Sequence, residues 1–177
     1  MPYNYDFWYQ PRHNVMVSSE LGAPNTYVPG FSLDDVAAGL YGRRLHFWDW
    51  QARRIVQTVD LGEEGLIPLE VRFHHDPDST HGYVGAALSS TLWHWHRPNG
   101  KWTVEKSLGI PPVEVEGWPF PVPSLITDLL LSLDDRYLYL SNWLHGDVRQ
   151  FDITDPAHPR LVGQVWCGGV LGKEATI

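Results

Sequence analysis

The stretch DLLLSLDDRYLYLSN (Asp128–Asn142) decides the fold, because its pattern recurs elsewhere in the chain. It aligns without a gap on DFWYQPRHNVMVSSE (Asp6–Glu20), matching an acid, an apolar triplet, a polar turn and a second apolar run in the same order. A third copy, EVRFHHDPDSTHGYVGAAL, begins at Glu70 and has a longer turn. Such self-similarity indicates one supersecondary unit that is used three times.

The second half of each unit repeats as well. LHFWDW, TLWHWHRP and VRQFDI each supply a third strand, and the following fourth strands are IVQTVDL, WTVEKSLGI and PRLVGQVW. Repeated units of four antiparallel strands are typical of a β-propeller. The sequence therefore predicts an all-β protein with three blades, at approximately 5–61, 66–110 and 124–168. A β-sandwich is the alternative, but it does not require a matched four-strand repeat.

Composition excludes several classes of protein. The net charge is −8 and Lys and Arg are not clustered, whereas nucleic acids and anionic membranes bind clustered basic residues. No apolar run approaches the roughly 20 residues of a membrane span, and no secretory signal opens the chain. We therefore expect a cytoplasmic protein without nucleic-acid or membrane partners. No common nucleophile, phosphate-binding or zinc-protease motif occurs, so the sequence assigns no catalytic residue.

Two local features give further expectations. Phe31–Leu40 (FSLDDVAAGL) is the one helical candidate, with Ser32 as its N-cap. Cys167 is the only cysteine, which excludes an internal disulfide and a cysteine-based zinc site. We expect Cys167 to be a small core residue near a strand end rather than a reactive thiol.

The acid that opens each repeat is the first candidate site. The inner strand of a propeller blade lines the central channel, so Asp6, Glu70 and Asp128 are expected to face the channel mouth. Three carboxylates there would suit a hard cation, a water network or a basic group. Alternatively, the acids are solvated or accept hydrogen bonds from amides of the neighbouring blade.

Several blocks resemble the selenium-binding protein family, whose members are also called methanethiol oxidases. These blocks are YDFWYQPRHNVM, LIPLEVRFHHDPD, ALSSTLW, LITDLLLSLDDRYLYLSNWLHGDVRQFDITDP and PRLVGQ. The resemblance covers about Tyr5 to Gly169 and places the chain in the central part of the longer family proteins. It implies a seven-bladed ring and a copper-dependent oxidation of methanethiol, a small thiol, to formaldehyde, hydrogen sulfide and hydrogen peroxide. Some members bind selenium through a cysteine that has no counterpart here.

Histidines within the family-like blocks are candidate metal ligands, since imidazole suits copper. His75 lies in RFHHDPD and His145 in SNWLHGD; alternatively, His75 caps a turn and His145 is an ordinary loop residue. His94 and His96, in WHWH, share a strand face at a spacing of two. We interpret them as half-buried cross-strand residues.

These observations leave three hypotheses for function. The chain is a segment of a methanethiol oxidase, inactive alone because the family's outer Cys and His motifs are absent. Alternatively, it is a non-catalytic propeller module that binds a protein or a thiol or selenium compound, or it is a truncated gene product. Residues 1–4 and 171–177 flank the family-like region and resemble terminal sequence that does not belong to the family pattern. Three blades do not close a ring of about four to eight, so we expect self-association through the open blade faces.

Overall fold

Each of the three repeats folds into one antiparallel sheet whose four strands are connected in chain order. The computed structural model describes residues 3–172; the predicted ends at residues 1–2 and 173–177 lie outside this part. Blade 1 contains β1 (Asn4–Gln10), β2 (Val15–Glu20), β3 (Arg44–Asp49) and β4 (Arg54–Asp60). Blade 2 contains β5 (Pro68–Phe73), β6 (Gly82–Ala86), β7 (Thr91–His96) and β8 (Thr103–Gly109). Blade 3 contains β9 (Ile126–Leu131), β10 (Tyr137–Asn142), β11 (Asp147–Asp152) and β12 (Arg160–Trp166). The three-bladed propeller architecture predicted from the repeat is therefore confirmed.

Blade 3 shows how the repeat encodes a blade. Leu129 pairs with Leu140 across β9 and β10, and Leu140 pairs with Arg149 across β10 and β11. The turn between β9 and β10 contains Asp135 at a positive φ of 55°, a conformation that Asp tolerates better than most residues. The polar turn predicted within Asp128–Asn142 is thus confirmed.

Helical structure is confined to short segments. Two helices, α1 (Pro24–Tyr27) and α2 (Leu33–Ala37), lie between β2 and β3, and three 3-10 turns cover Pro11–His13, Glu63–Gly65 and Pro98–Gly100. The Ser32 side chain accepts a hydrogen bond from the Asp34 amide at 3.2 Å, which confirms the predicted N-cap. Asp34 and Asp35 in the first turn also suit the positive end of the helix dipole.

The blades pack face to face through two apolar cores. Between blades 1 and 2, Phe47 stacks on Trp102 with ring centroids 4.8 Å apart, and Phe73 meets Trp95 edge-on at 5.3 Å. Between blades 2 and 3 the core is mostly aliphatic, built around Leu129, Leu138 and Leu140, and it also contains Tyr83 and Phe151. Large rings fill the wedge between neighbouring blades, and each aromatic pair adds about 0.5–1.5 kcal/mol beyond burial.

The expectation that Cys167 is a core residue is wrong. It does follow the end of β12, but its side chain is exposed. The reason is its position, because β12 is the outermost strand of blade 3 and most of its residues are exposed. The backbone amide of Cys167 is nevertheless fixed by the Gly146 carbonyl at 2.7 Å.

The two ends of the three-blade arc leave apolar side chains in solvent. Val17 faces blade 2, so strand alternation turns Phe7 and Tyr9 to the opposite side of blade 1, where about half of each side chain is exposed. On blade 3 the same alternation exposes Leu130. Among the described residues, no helix is long and apolar enough to cross a membrane.

We predict that the isolated chain self-associates, because unpaired blade faces and strand edges favour contacts between copies. Size-exclusion chromatography with light scattering should give species heavier than the 20.2 kDa chain, with a share that rises with concentration. A monodisperse monomer with one sharp thermal transition would contradict the prediction.

Candidate functional site

The repeated acids lie at equivalent places in the three blades. Asp6, Glu70 and Asp128 are each the third residue of the first strand, β1, β5 or β9. The three acids interact electrostatically. Burial raises the pKa of Glu70, and the negative charges of Asp6 and, more weakly, Asp128 raise it as well. Arg72 has the opposite effect and lowers the pKa of Glu70. Burial and the same three carboxylates raise the pKa of Tyr5. One end of the arc therefore carries a concentration of negative charge.

Arg72 partly neutralises this charge. Its Nη1 lies 3.0 Å from Asp6 Oδ2 and its Nη2 lies 2.6 Å from Glu70 Oε2. The guanidinium is also 4.7 Å from the centre of the Trp8 ring, which it covers. Sequence reasoning missed Arg72, although its spacing of two from Glu70 puts both side chains on one face of β5.

Asp6 also joins blade 1 to blade 2 through the backbone. Its Oδ2 accepts a hydrogen bond from the Val71 amide at 3.0 Å, in addition to the bond from Arg72. For Asp6, the geometry matches the alternative in which the acid accepts from an amide of the neighbouring blade. The proposed cation-binding role of the three acids stays a prediction.

Asp128 has different surroundings from Asp6. It is exposed and shares with Leu130 the side of blade 3 that faces away from blade 2. Within residues 3–172, no ion pair involves Asp128 (ion pairs fall on other acids, such as Asp6, Glu70 and Asp147).

The two predicted metal ligands lie far from each other in the architecture. His75 is exposed in the turn between β5 and β6, where its amide donates to Asp135 Oδ1 at 2.8 Å. His145 is buried in the turn between β10 and β11, and its Nε2 donates to the Val122 carbonyl at 3.1 Å. These turns are at opposite ends of different blades, because successive strands are antiparallel. The structure therefore does not bring His75 and His145 into one site.

Of these two histidines, only His145 has a property that is typical of a metal ligand. Since Nε2 donates to a carbonyl, a neutral ring carries its lone pair on Nδ1, and this atom is buried without a hydrogen-bond partner. Metal-binding histidines commonly donate their second nitrogen in this way. As they stand, however, no three His, Cys, Asp or Glu side chains among the described residues form a metal-holding group. His75 and His145 thus do not form a copper site together, and the copper-ligand role of each stays a prediction.

Next to the acids lies an apolar cavity of about 410 Å³. Leu69 and Thr127, which directly precede Glu70 and Asp128, contribute to its wall. The remaining walls are apolar and include Leu33, Leu88, Trp118, Phe120 and Trp143. The cavity could hold a small apolar molecule beside the charged end of the arc.

Two strained residues form part of this cavity. Ile67 and Leu125, three residues before Glu70 and Asp128, have positive φ angles of 57° and 55°. Such angles are unusual for a branched or bulky residue, and backbone strain of this kind concentrates at functional sites. The equivalent positions in blades 2 and 3 therefore combine strain, an apolar wall and a nearby carboxylate.

A second group of polar residues lies at the other end of blade 2. His94 and His96 do share a face of β7, as predicted, with ring centroids 5.3 Å apart. His94 is more deeply buried than expected, at 2% exposure. The turn after β5 adds His74 and His81, which sequence reasoning did not join to the pair; WHWH was the only sequence signal.

Comparison with known proteins shows the family of this chain. A family model described as 56kDa selenium binding protein (SBP56) matches residues 1–177. The chain belongs to the SBP56 family. The resemblance found in the sequence blocks is thereby confirmed for this SBP56 chain.

Sequence relatives of the chain agree with this family. The SBP56 chain is 59% identical over 178 residues to the methanethiol oxidase of Homo sapiens, covering 99% of the chain and 38% of the relative. It is 59% identical over 172 residues to that of Xenopus tropicalis, covering 96% and 36%. The chain thus spans under two fifths of the length of these relatives.

The fold is also found in solved structures. A hypothetical selenium-binding protein from Sulfolobus tokodaii superposes with a TM-score of 0.92 at 40% identity, over 97% of this chain and 40% of that one. The β-propeller domain of Cps50 (Swd1) from Myceliophteria thermophila gives a TM-score of 0.56 at 12% identity, over 97% and 45%. The second likeness supports the propeller fold alone.

Proposed function

We propose that the chain forms three blades of a seven-bladed methanethiol oxidase. The observation that carries the proposal is the 59% identity to a methanethiol oxidase over 178 residues. In the proposed reaction, methanethiol, oxygen and water give formaldehyde, hydrogen sulfide and hydrogen peroxide. Copper would supply the redox chemistry when bound, and its ligands have to include residues other than the pair His75 and His145, which the fold separates.

The chain's own contribution to this reaction is binding and positioning. The apolar cavity beside Glu70 and Asp128 suits a small thiol, because its walls expose almost no polar surface. Arg72 holds Asp6 and Glu70 together across the joint between blades 1 and 2. In this proposal the ion pairs keep Asp6 and Glu70 in a fixed position relative to the cavity.

The first test uses the chain alone. Copper-loaded chain is incubated with methanethiol and oxygen, and hydrogen peroxide and sulfide are measured against free copper. We expect no turnover above free copper, because the described residues hold no assembled copper site. Turnover that is abolished in His75→Ala or His145→Ala would contradict this expectation and place a complete site within the chain.

A second experiment tests the positive part of the proposal. The chain replaces the corresponding segment of the human methanethiol oxidase, and the chimera is assayed beside the unmodified enzyme. Retained turnover is expected, and a chimera with the cavity filled by Leu88→Trp should turn over methanethiol more slowly. A folded chimera without activity would refute the proposal and favour a non-catalytic module that binds a protein or a thiol or selenium compound.

A further inference from the structure

Four histidines converge at the end of blade 2 that is remote from the acids. His81 is the centre of the group, with its ring centroid 5.5 Å from that of His74, 5.0 Å from that of His94 and 5.6 Å from that of His96. His94 and His96 are 5.3 Å apart, so three of the rings form a nearly regular triangle. No part of the proposed oxidase function uses these residues.

Three ring nitrogens of this group are buried without a hydrogen-bond partner: His74 Nε2, His94 Nδ1 and His96 Nδ1. The side chains of His74 and His94 are at least nine-tenths buried. A buried polar atom that lacks a partner is costly, and native proteins rarely keep several in one place. The group therefore contains unused nitrogen donors in close proximity.

From this geometry we infer that His81, His94 and His96, supported by His74, form a binding site for a late divalent transition-metal ion such as Zn²⁺. Imidazole is a preferred ligand of such ions. Zinc binds histidine nitrogen at about 2.0–2.1 Å in tetrahedral geometry, which places neighbouring ring centroids about 5 Å apart. The ring spacing already matches this value.

Ring orientation is what changes on binding. As they stand, the rings of His81, His94 and His96 are stacked with planes within 17° of one another, so their lone pairs do not point to one centre, and no metal-holding group is formed. His81 Nδ1 and His94 Nε2 are 2.7 Å apart and share a hydrogen bond. Rotation of the rings about their Cβ–Cγ bonds redirects the nitrogens while moving the centroids little.

The electrostatic surroundings also favour a cation. The unpartnered ring nitrogens of His74, His94 and His96 are available to a metal without breaking an existing hydrogen bond. Asp155, Asp135 and Asp76 act on the group with negative charge, and half-buried His81 and His96 give an ion access from solvent.

The test is zinc binding by the whole chain, with no assay of oxidase turnover. After dialysis against Zn²⁺, elemental analysis should give about one ion per chain. X-ray absorption should show nitrogen ligands at about 2.0 Å with imidazole scattering. The double variant His81→Gln/His96→Gln should lose this ion, whereas His13→Gln, which changes a half-buried histidine outside the group, should retain it.

Three results would overturn the inference: no bound zinc in the wild-type chain, equal binding by the double variant, or an oxygen-dominated ligand set. If the double variant does not fold, the single variant His96→Gln, at the end of β7, decides the matter and should weaken binding at least tenfold. Because the readout is the bound ion, its failure leaves the oxidase chimera unaffected, and the reverse also holds.

Discussion

Replacing Gly146 with alanine is expected to reduce the free energy of unfolding by at least about 3 kcal/mol, a loss typical of the most damaging substitutions. Gly146 has a φ of 77°, and an added Cβ would overlap the backbone carbonyl of Gly168 and lie 2.6 Å from Gly169 Cα. Both obstacles are main chain, so no side-chain rotation relieves them. Gly146 also accepts the hydrogen bond from the Cys167 amide, which joins the turn to the end of β12.

Gly39 supplies a matched control for this substitution. It has nearly the same φ, 68°, but an added Cβ would meet nothing within 4 Å. Gly39→Ala therefore isolates the backbone strain, at about 1–2 kcal/mol. Urea unfolding at one fixed protein concentration measures both variants. Equal losses would show that the Gly168 contact does not restrain the turn.

Removal of Arg72 should have the second largest effect. Arg72→Met leaves Asp6 and Glu70 as neighbouring carboxylates without their cation, and the three side chains are only 19–23% exposed. Breaking a fully buried pair costs roughly 3–5 kcal/mol; the residual exposure reduces our estimate to about 2–3 kcal/mol at pH 7.

The effect of Arg72→Met should depend on pH. Without Arg72, the pKa of Glu70, already raised by burial and by Asp6, rises further. An acid whose pKa is raised by folding destabilises the fold when ionised, so stability falls as pH rises through the unfolded and then the folded pKa. The difference between variant and wild type should therefore be largest at pH 7 and shrink as the pH falls towards the ordinary pKa of Glu.

Arg12→Met is the control for this experiment. Arg12 pairs with Asp78 at 3.0 Å, but the side chains are 58% and 71% exposed. Exposed pairs contribute about 1 kcal/mol or less, so this variant should change stability little and without the same pH dependence. Similar losses from both arginine variants would show that Asp6 and Glu70 do not depend on Arg72.

The blades could be predicted from the sequence because each blade is encoded locally. The acid, apolar triplet and turn of Asp128–Asn142 specify a hairpin by alternation and turn chemistry, and Ser32 specifies its helix start. Contacts between different repeats depend instead on how neighbouring blades pack against each other. The pairing of Arg72 with Asp6 depends on how blade 1 lies against blade 2, and no spacing within one repeat reports this.

The candidate site was less predictable for the same reason. His94 and His96 are joined by strand alternation, which the sequence shows. His74 reaches them only because the turn after β5 folds back beside β6, where the His74 amide bonds to the His81 carbonyl at 3.0 Å. The separation of His75 from His145 likewise follows from strand direction in two different blades, and their two separate family-like blocks carry no information about this distance.

The exposed Asp128 has a consequence for selectivity in docking. A surface that covers the open side of blade 3 removes water from this carboxylate, and an apolar surface without a donor would lose several kcal/mol in doing so. A blade edge that presents an amide and a guanidinium, as Val71 and Arg72 do for Asp6, avoids this loss. Asp128 thus favours a matched partner over indiscriminate apolar contact.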